Sequence, residues 1–179
     1  MTIGNDNVIR ESVTIHRGTI QDRGDTSIGN SNLIMCYVHI GHDSVVKNHT
    51  ILVNNTALAG HVVVDDWAIL SGYTLLHQFC KIGAHSFSGM GTAIGKDVPA
   101  YVTVSGSPAE ARTINSERLR RRGFSDGTLA DLRRAFKLVY RQGLTLDVAI
   151  ERLGEMAVET PEIEPLLESL KSSERGIVR

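Results

Sequence analysis

Aliphatic residues recur along the chain at every sixth position. The series runs Ile28, Ile34, Ile40, Val46, Leu52, Leu58, Val64, Leu70, Leu76, Ile82, Ser88 and Ile94, interrupted only by Ser88. Four residues after each comes a second series of compact residues: Asn32, Val38, Ser44, Thr50, Thr56, Val62, Ala68, Thr74, Cys80, Ser86, Thr92 and Val98. An ordinary strand repeats at about 2 residues and a helix at about 3.6, so neither produces this pattern. A period of six with one large and one small inward position fits a β-solenoid, in which each hexad forms a short flat strand and successive turns stack. The aliphatic residue fills the interior at roughly 1.5–3 kcal/mol per buried side chain as an upper value, and the compact one sits near a corner. Earlier hexads begin at Ile3, Ile9 and Ile15. The stretch HRGTIQDRGDTS then shifts the register by one residue, which predicts a protruding loop rich in glycine and charge.

The repeat fades after GKDVPAYVTVSGSPAEA, and the pattern turns helical. SDGTLADLRRAFKLVYRQG places Leu129, Leu132, Phe136, Leu138 and Val139 on one apolar face, with Ser125 as N-cap and Gly143 as a stop. Thr145 caps a second helix, LDVAIERLGEMA, and a last one begins between Thr160 and Pro165, because both prolines suit only a first turn. The expected division is a solenoid over 1–105 and a helical domain over 106–179.

The repeat resembles that of the hexapeptide-repeat acyltransferase superfamily. The resemblance implies an all-β left-handed parallel β-helix of triangular section, three hexads per coil, followed here by an α-helical C-terminal extension, and assembly as a homotrimer.

Composition narrows the function classes. A net charge of −1 gives no basic field for nucleic acid. No apolar run approaches the roughly 18 residues of a spanning helix, no signal peptide opens the chain, and a cytoplasmic protein is the default expectation. Cys36 and Cys80 supply no disulfide framework.

Position within the hexad separates core from surface. His39, His42, His61 and His77 all avoid the two inward phases, so each is expected to point outward. An isolated histidine is more often a packing residue, but the register argues against that here. With three hexads per coil, 40–45, 58–63 and 76–81 share a face, and Gly60 stacks over His42, then Gln78 over Gly60. Neighbouring strands lie about 4.8 Å apart, so the column spans two strand spacings. His49 and His85 fall on a different face and read as surface residues or trimer contacts. Such a cluster suits a metal site, a general base oriented by a carboxylate such as Asp43, or donors to an anionic substrate. The residues alone leave these three open.

The motifs IRESVTIHRGT, HIGHDS, ILVNNTALAGHVVVDDWAIL, LHQFCKIGAHSFSGMG, DVPAYV and RRRGFS resemble those of the UDP-N-acetylglucosamine O-acyltransferases that start lipid A synthesis, over essentially the whole chain. The resemblance implies transfer of an (R)-3-hydroxyacyl group from acyl carrier protein, through its phosphopantetheine thioester and with no other cofactor or metal, to the sugar 3-hydroxyl of UDP-N-acetylglucosamine. It makes His42 the general base, Asp43 its assistant and the Gly60 N–H the oxyanion donor. His39, His61, His77 and Gln78 would contact sugar, phosphate or acyl groups. Asn115 and Glu117 would lie near the nucleotide, with Arg121 and Arg122 at the nucleotide and pantetheine end. Met90 would end the acyl groove and favour a shorter, decanoyl-like chain, and basic residues such as Arg118 and Arg120 would attract the acidic carrier. The family carries several further N-terminal coils, including an aspartate and a lysine that help bind donor and acceptor. The alternative functions are a metal-dependent hydratase of the γ-carbonic-anhydrase type and a non-catalytic or altered-activity short homologue.

Overall fold

The computed structural model describes residues 1–20 and 23–179. Two-residue strands follow one another from Thr2–Ile3 to Ala93–Ile94, and each pairs in parallel with the strand one coil away. Val45–Val46 pairs with Ser27–Ile28 on one side and Val63–Val64 on the other, and Val63–Val64 pairs with Lys81–Ile82. Those steps of 18 residues are three hexads per coil, and they divide the strands into three parallel sheets.

Both sequence ladders face inward. Each member of the aliphatic series, Ser88 included, is at most 5% exposed, and each compact residue at most 2%. Ser88 is tolerated because its hydroxyl accepts from Ser71 N–H at 3.0 Å and bonds Thr74 Oγ1 at 2.7 Å, so this hydroxyl is satisfied inside the core. The register shift is also present. From Thr14–Ile15 to Ser27–Ile28 the step is 13 residues instead of six, so seven extra residues leave the coil as a loop. Its residues 21–22 lie outside the described residues.

A conformational regularity accompanies the hexads. Ser31, Tyr37, Asp43, His49, Asn55, His61, Trp67, Tyr73, Phe79 and His85 all have φ between +56° and +66°. Side chains other than glycine avoid this region unless the surroundings enforce it. Here the coil below does so: His61 N–H donates to His42 O at 2.9 Å, and Phe79 N–H to Gly60 O at 3.2 Å. Each corner is therefore hydrogen-bonded to the corner beneath it.

Past the last coil, Val102–Ser105 continues one sheet and turns back as the antiparallel strand Glu110–Ile114. This hairpin and the short helix after it carry no hexad or strong helical signature. Four helices follow: α1 (Ser116–Arg121), α2 (Asp126–Tyr140), α3 (Leu146–Glu159) and α4 (Glu164–Lys171). The expected caps are in place, with Ser125 accepting from Thr128 N–H and Thr145 from Val148 N–H. Pro161 opens a 3-10 turn and Pro165 lies in the first turn of α4. Leu129, Leu132, Phe136, Leu138 and Val139 are buried as the helical face required. The helices dock on the solenoid's end, where Tyr101 Oη donates to Glu162 O at 2.8 Å and Val178 N–H to Asp97 O at 2.9 Å.

Candidate active site

One corner of the prism gathers four of the expected residues. His42 and Asp43 occupy adjacent turn positions, and two neighbours on a strand would point to opposite faces. The left-handed φ of Asp43, +58°, brings both side chains to one side. His42 Nδ1 then meets Asp43 Oδ2 at 2.9 Å. One coil up, the His61 ring stands edge-on to His42 with centroids 4.9 Å apart. Gly60 lies directly against the imidazole: a Cβ there would be 2.7 Å from both Cε1 and Nε2 of His42. Only glycine leaves that ring its place.

Asp43 is buried, while the His42 side chain is 41% exposed. Burial alone would raise the Asp43 carboxyl, but hydrogen bonds from His42 and from Thr19 outweigh it and hold the group at about 2. The ionised carboxylate accepts from Nδ1–H and so leaves the Nε2 lone pair facing Gly60. Among the described residues, the Gly60 N–H donates to no protein acceptor. An imidazole nitrogen and a glycine whose N–H is unused among the described residues therefore adjoin at this corner.

His39 and His77 stand near this corner. His39 Nδ1 bonds Thr14 Oγ1 at 2.8 Å, and its ring meets His16 edge-on with centroids 4.7 Å apart. Burial first, and the neighbouring His16 second, lower the His39 pKa. His77 and Gln78 are exposed on the coil above Gly60, with His77 Nδ1 bonded to the Gln78 carbonyl at 3.1 Å. Phe79 stacks on His61 with centroids 4.4 Å apart.

Metal chemistry was the competing possibility, and His42, Asp43 and His61 do hold ligand atoms within 4.8 Å of one another. A catalytic zinc takes three protein ligands, and here the Asp43 carboxylate is already engaged in hydrogen bonds. Both Asp43 oxygens already accept from Thr19, and Oδ2 also binds His42 Nδ1.

The other expected residues stand at different corners of the same chain. Arg122 lies over the Trp67 ring, 4.6 Å from its centroid, and its Nη1 bonds His85 Nδ1 at 2.8 Å. Asn115 Nδ2 donates to His85 O at 3.1 Å. Glu117 pairs with Arg121 at 3.1 Å and Arg120 at 3.6 Å, and Arg120 also pairs with Asp126. Met90 is 80% exposed at the third corner, one coil above Gly72.

His85 is more than a surface residue. It is half-buried, flanked by Trp67, Tyr101 and Phe124. Burial, reinforced by the Arg122 guanidinium, pushes its imidazole down to about 4 from an ordinary 6.5. Between those values the unfolded chain binds a proton that the folded chain refuses, so His85's contribution is complete above about 6.5 and is lost as pH falls toward 4. Calorimetric melting between pH 7 and pH 4.5 should show the Tm falling, and His85→Gln should flatten that slope. An equal slope in both proteins would refute the assignment.

Comparison with known proteins gives the family. Residues 97–178 match the family model described as UDP-N-acetylglucosamine O-acyltransferase, domain 2. An acyl-[acyl-carrier-protein]–UDP-N-acetylglucosamine O-acyltransferase of Ectopseudomonas mendocina is 69% identical over all 179 residues, which span 69% of that relative. The crystal structure of the UDP-N-acetylglucosamine O-acyltransferase of Moraxella catarrhalis superposes with a TM-score of 0.98 at 47% identity, over 99% of this chain and 69% of that one. The Francisella novicida UDP-N-acetylglucosamine acyltransferase gives 0.96 at 45% identity, over 99% and 65%. The solenoid is a left-handed parallel β-helix, the sense that the repeat's resemblance implied. The fold, the histidine corner and these likenesses converge: the chain belongs to the acyl-carrier-protein-dependent UDP-N-acetylglucosamine O-acyltransferase family.

Proposed function

We propose that this chain transfers an (R)-3-hydroxyacyl group from acyl carrier protein to the 3-hydroxyl of UDP-N-acetylglucosamine, the first step of lipid A biosynthesis, in the cytoplasm. The observation that carries the reading is the His42–Asp43 pair with Gly60 packed against its Nε2. His42 Nε2 takes the proton from the sugar hydroxyl as that oxygen attacks the thioester carbonyl. The carbonyl oxygen gains the negative charge and accepts from the Gly60 N–H. Collapse expels the pantetheine thiolate, which recovers the proton from His42.

Direct attack suits the chain's thiols. Burial, with Asp97 adding to it, pushes Cys80 up to about 11. Cys36 is raised by its hydrogen bond with Glu11. Neither is an activated nucleophile.

The separation of the three corners supports a homotrimer. Setting one prism's corner beside a different corner of the next would let a second copy contribute side chains to the His42 corner. Exposed apolar side chains on that side, Tyr37, Tyr73, Leu75 and Met90, all more than half exposed, suit such burial. His39, His61, His77 and Gln78 then line the sugar, phosphate and acyl contacts, and Asn115, Glu117, Arg121 and Arg122 the nucleotide and pantetheine end.

Incubation with UDP-N-acetylglucosamine and an (R)-3-hydroxydecanoyl carrier protein tests the reading: mass spectrometry should find the 3-O-acylated nucleotide sugar, and its absence at all chain lengths would refute it. Met90 ends the acyl groove in this reading. Met90→Gly should move the preference from decanoyl-like toward tetradecanoyl-like donors, and an unchanged chain-length profile would remove Met90 from that role.

A further inference from the structure

Resting on the acyl-transfer reading of this corner, we propose that the loop inserted between Thr14–Ile15 and Ser27–Ile28 positions the His42–Asp43 pair, with Thr19 as the residue that orients the carboxylate. Thr19 reaches Asp43 with both of its donors. Its N–H lies 3.1 Å from Oδ1 and 3.0 Å from Oδ2, and its hydroxyl 2.8 Å from Oδ2. That same Oδ2 accepts His42 Nδ1. From the loop's other limb, Thr26 Oγ1 accepts the Asp43 N–H at 2.9 Å. Main chain and side chain of Asp43 are thus held by one excursion of the backbone.

The loop is built to close on this point. A Cβ on Gly18 would lie 2.1 Å from Asp25 N and 2.2 Å from Gly24 C, so the two limbs approach only because residue 18 is glycine. Position along the solenoid gives a further argument. The corner positions held by His42 and Asp43 recur one coil up as Gly60 and His61, and again as Gln78 and Phe79. The histidine–carboxylate pair stands at the coil that the insertion serves. A carboxylate whose plane is set by the N–H and the hydroxyl of Thr19 presents Oδ2 to Nδ1 in a fixed direction, and this fixes the ring and its tautomer.

Thr19→Val keeps the shape and the N–H but removes the hydroxyl. It should lower kcat on the order of ten-fold, the effect of one hydrogen bond to a charged group. KM for both substrates should stay within about two-fold, as for a loss felt in the transition state. Thr19→Ser should restore the rate. Gly18→Ala, which leaves every hydroxyl in place and displaces only the loop, should reproduce the defect. A readout independent of turnover is the downfield proton resonance of His42 Nδ1–H, identified by its loss in His42→Ala. It should shift or exchange faster in Thr19→Val and Gly18→Ala and not in Thr19→Ser. An unchanged resonance in Thr19→Val overturns the proposal whether or not the wild type turns over. An inactive wild type whose resonance still responds counts against the acyl-transfer reading alone.

Discussion

Replacing His42 with alanine is expected to lower kcat/KM for acyl transfer by about 10²- to 10⁴-fold, the usual contribution of a positioned general base. The fold should survive, because the side chain is 41% exposed and belongs to neither inward ladder. Asp43 would keep its bonds to Thr19 and its ionised state, so the loss should appear in turnover and not in melting temperature. Steady-state kinetics beside thermal melting separates the two. A variant within ten-fold of wild type would mean that another group takes the proton.

Gly60→Ala is expected to be nearly as damaging, for a reason that no polar contact records. One methyl group, placed 2.7 Å from Nε2 and Cε1, must push the His42 ring aside. A displacement of about 1 Å at a reacting atom costs on the order of 10²-fold, and loss of an oxyanion donor costs about 10²- to 10³-fold. The expected result is a fall of about 10²-fold or more in kcat. Gly72→Ala is the internal control. There a Cβ meets its nearest neighbour at 3.4 Å, an ordinary contact, so activity and stability should both be retained. Equal behaviour of the two variants would show that glycine at 60 serves the backbone alone.

The solenoid is unusually legible from its sequence because burial and period coincide. Every coil repeats the same pair of inward positions, so Ile40, Leu58 and Leu76 report the stacking that also places His42, Gly60 and Gln78 in one column. The six-residue period says nothing about the corners. The recurring left-handed φ has no glycine signature, since His61, Trp67 and Phe79 are held there by hydrogen bonds from one coil to the next. Without that conformation, His42 and Asp43 would be expected on opposite faces. Trp67 and Phe79 were within reach of the same arithmetic, standing 18 residues beyond His49 and His61 and stacking on them. His16 and Thr19 were not, because the insertion breaks the count: nothing in the spacing indicates that a loop residue returns to a carboxylate 24 positions later. The hairpin over Val102–Ile114 is hidden for a related reason. Its pairing depends on a neighbouring strand and not on its own period.

The most direct test is a crystal structure with the 3-O-acylated nucleotide sugar bound. The sugar 3-oxygen is predicted within about 2.6–3.2 Å of His42 Nε2. The ester carbonyl oxygen should lie about 2.7–3.1 Å from Gly60 N. A product seated at the Trp67–His85 corner alone, or with its ester turned away from His42, would contradict the account.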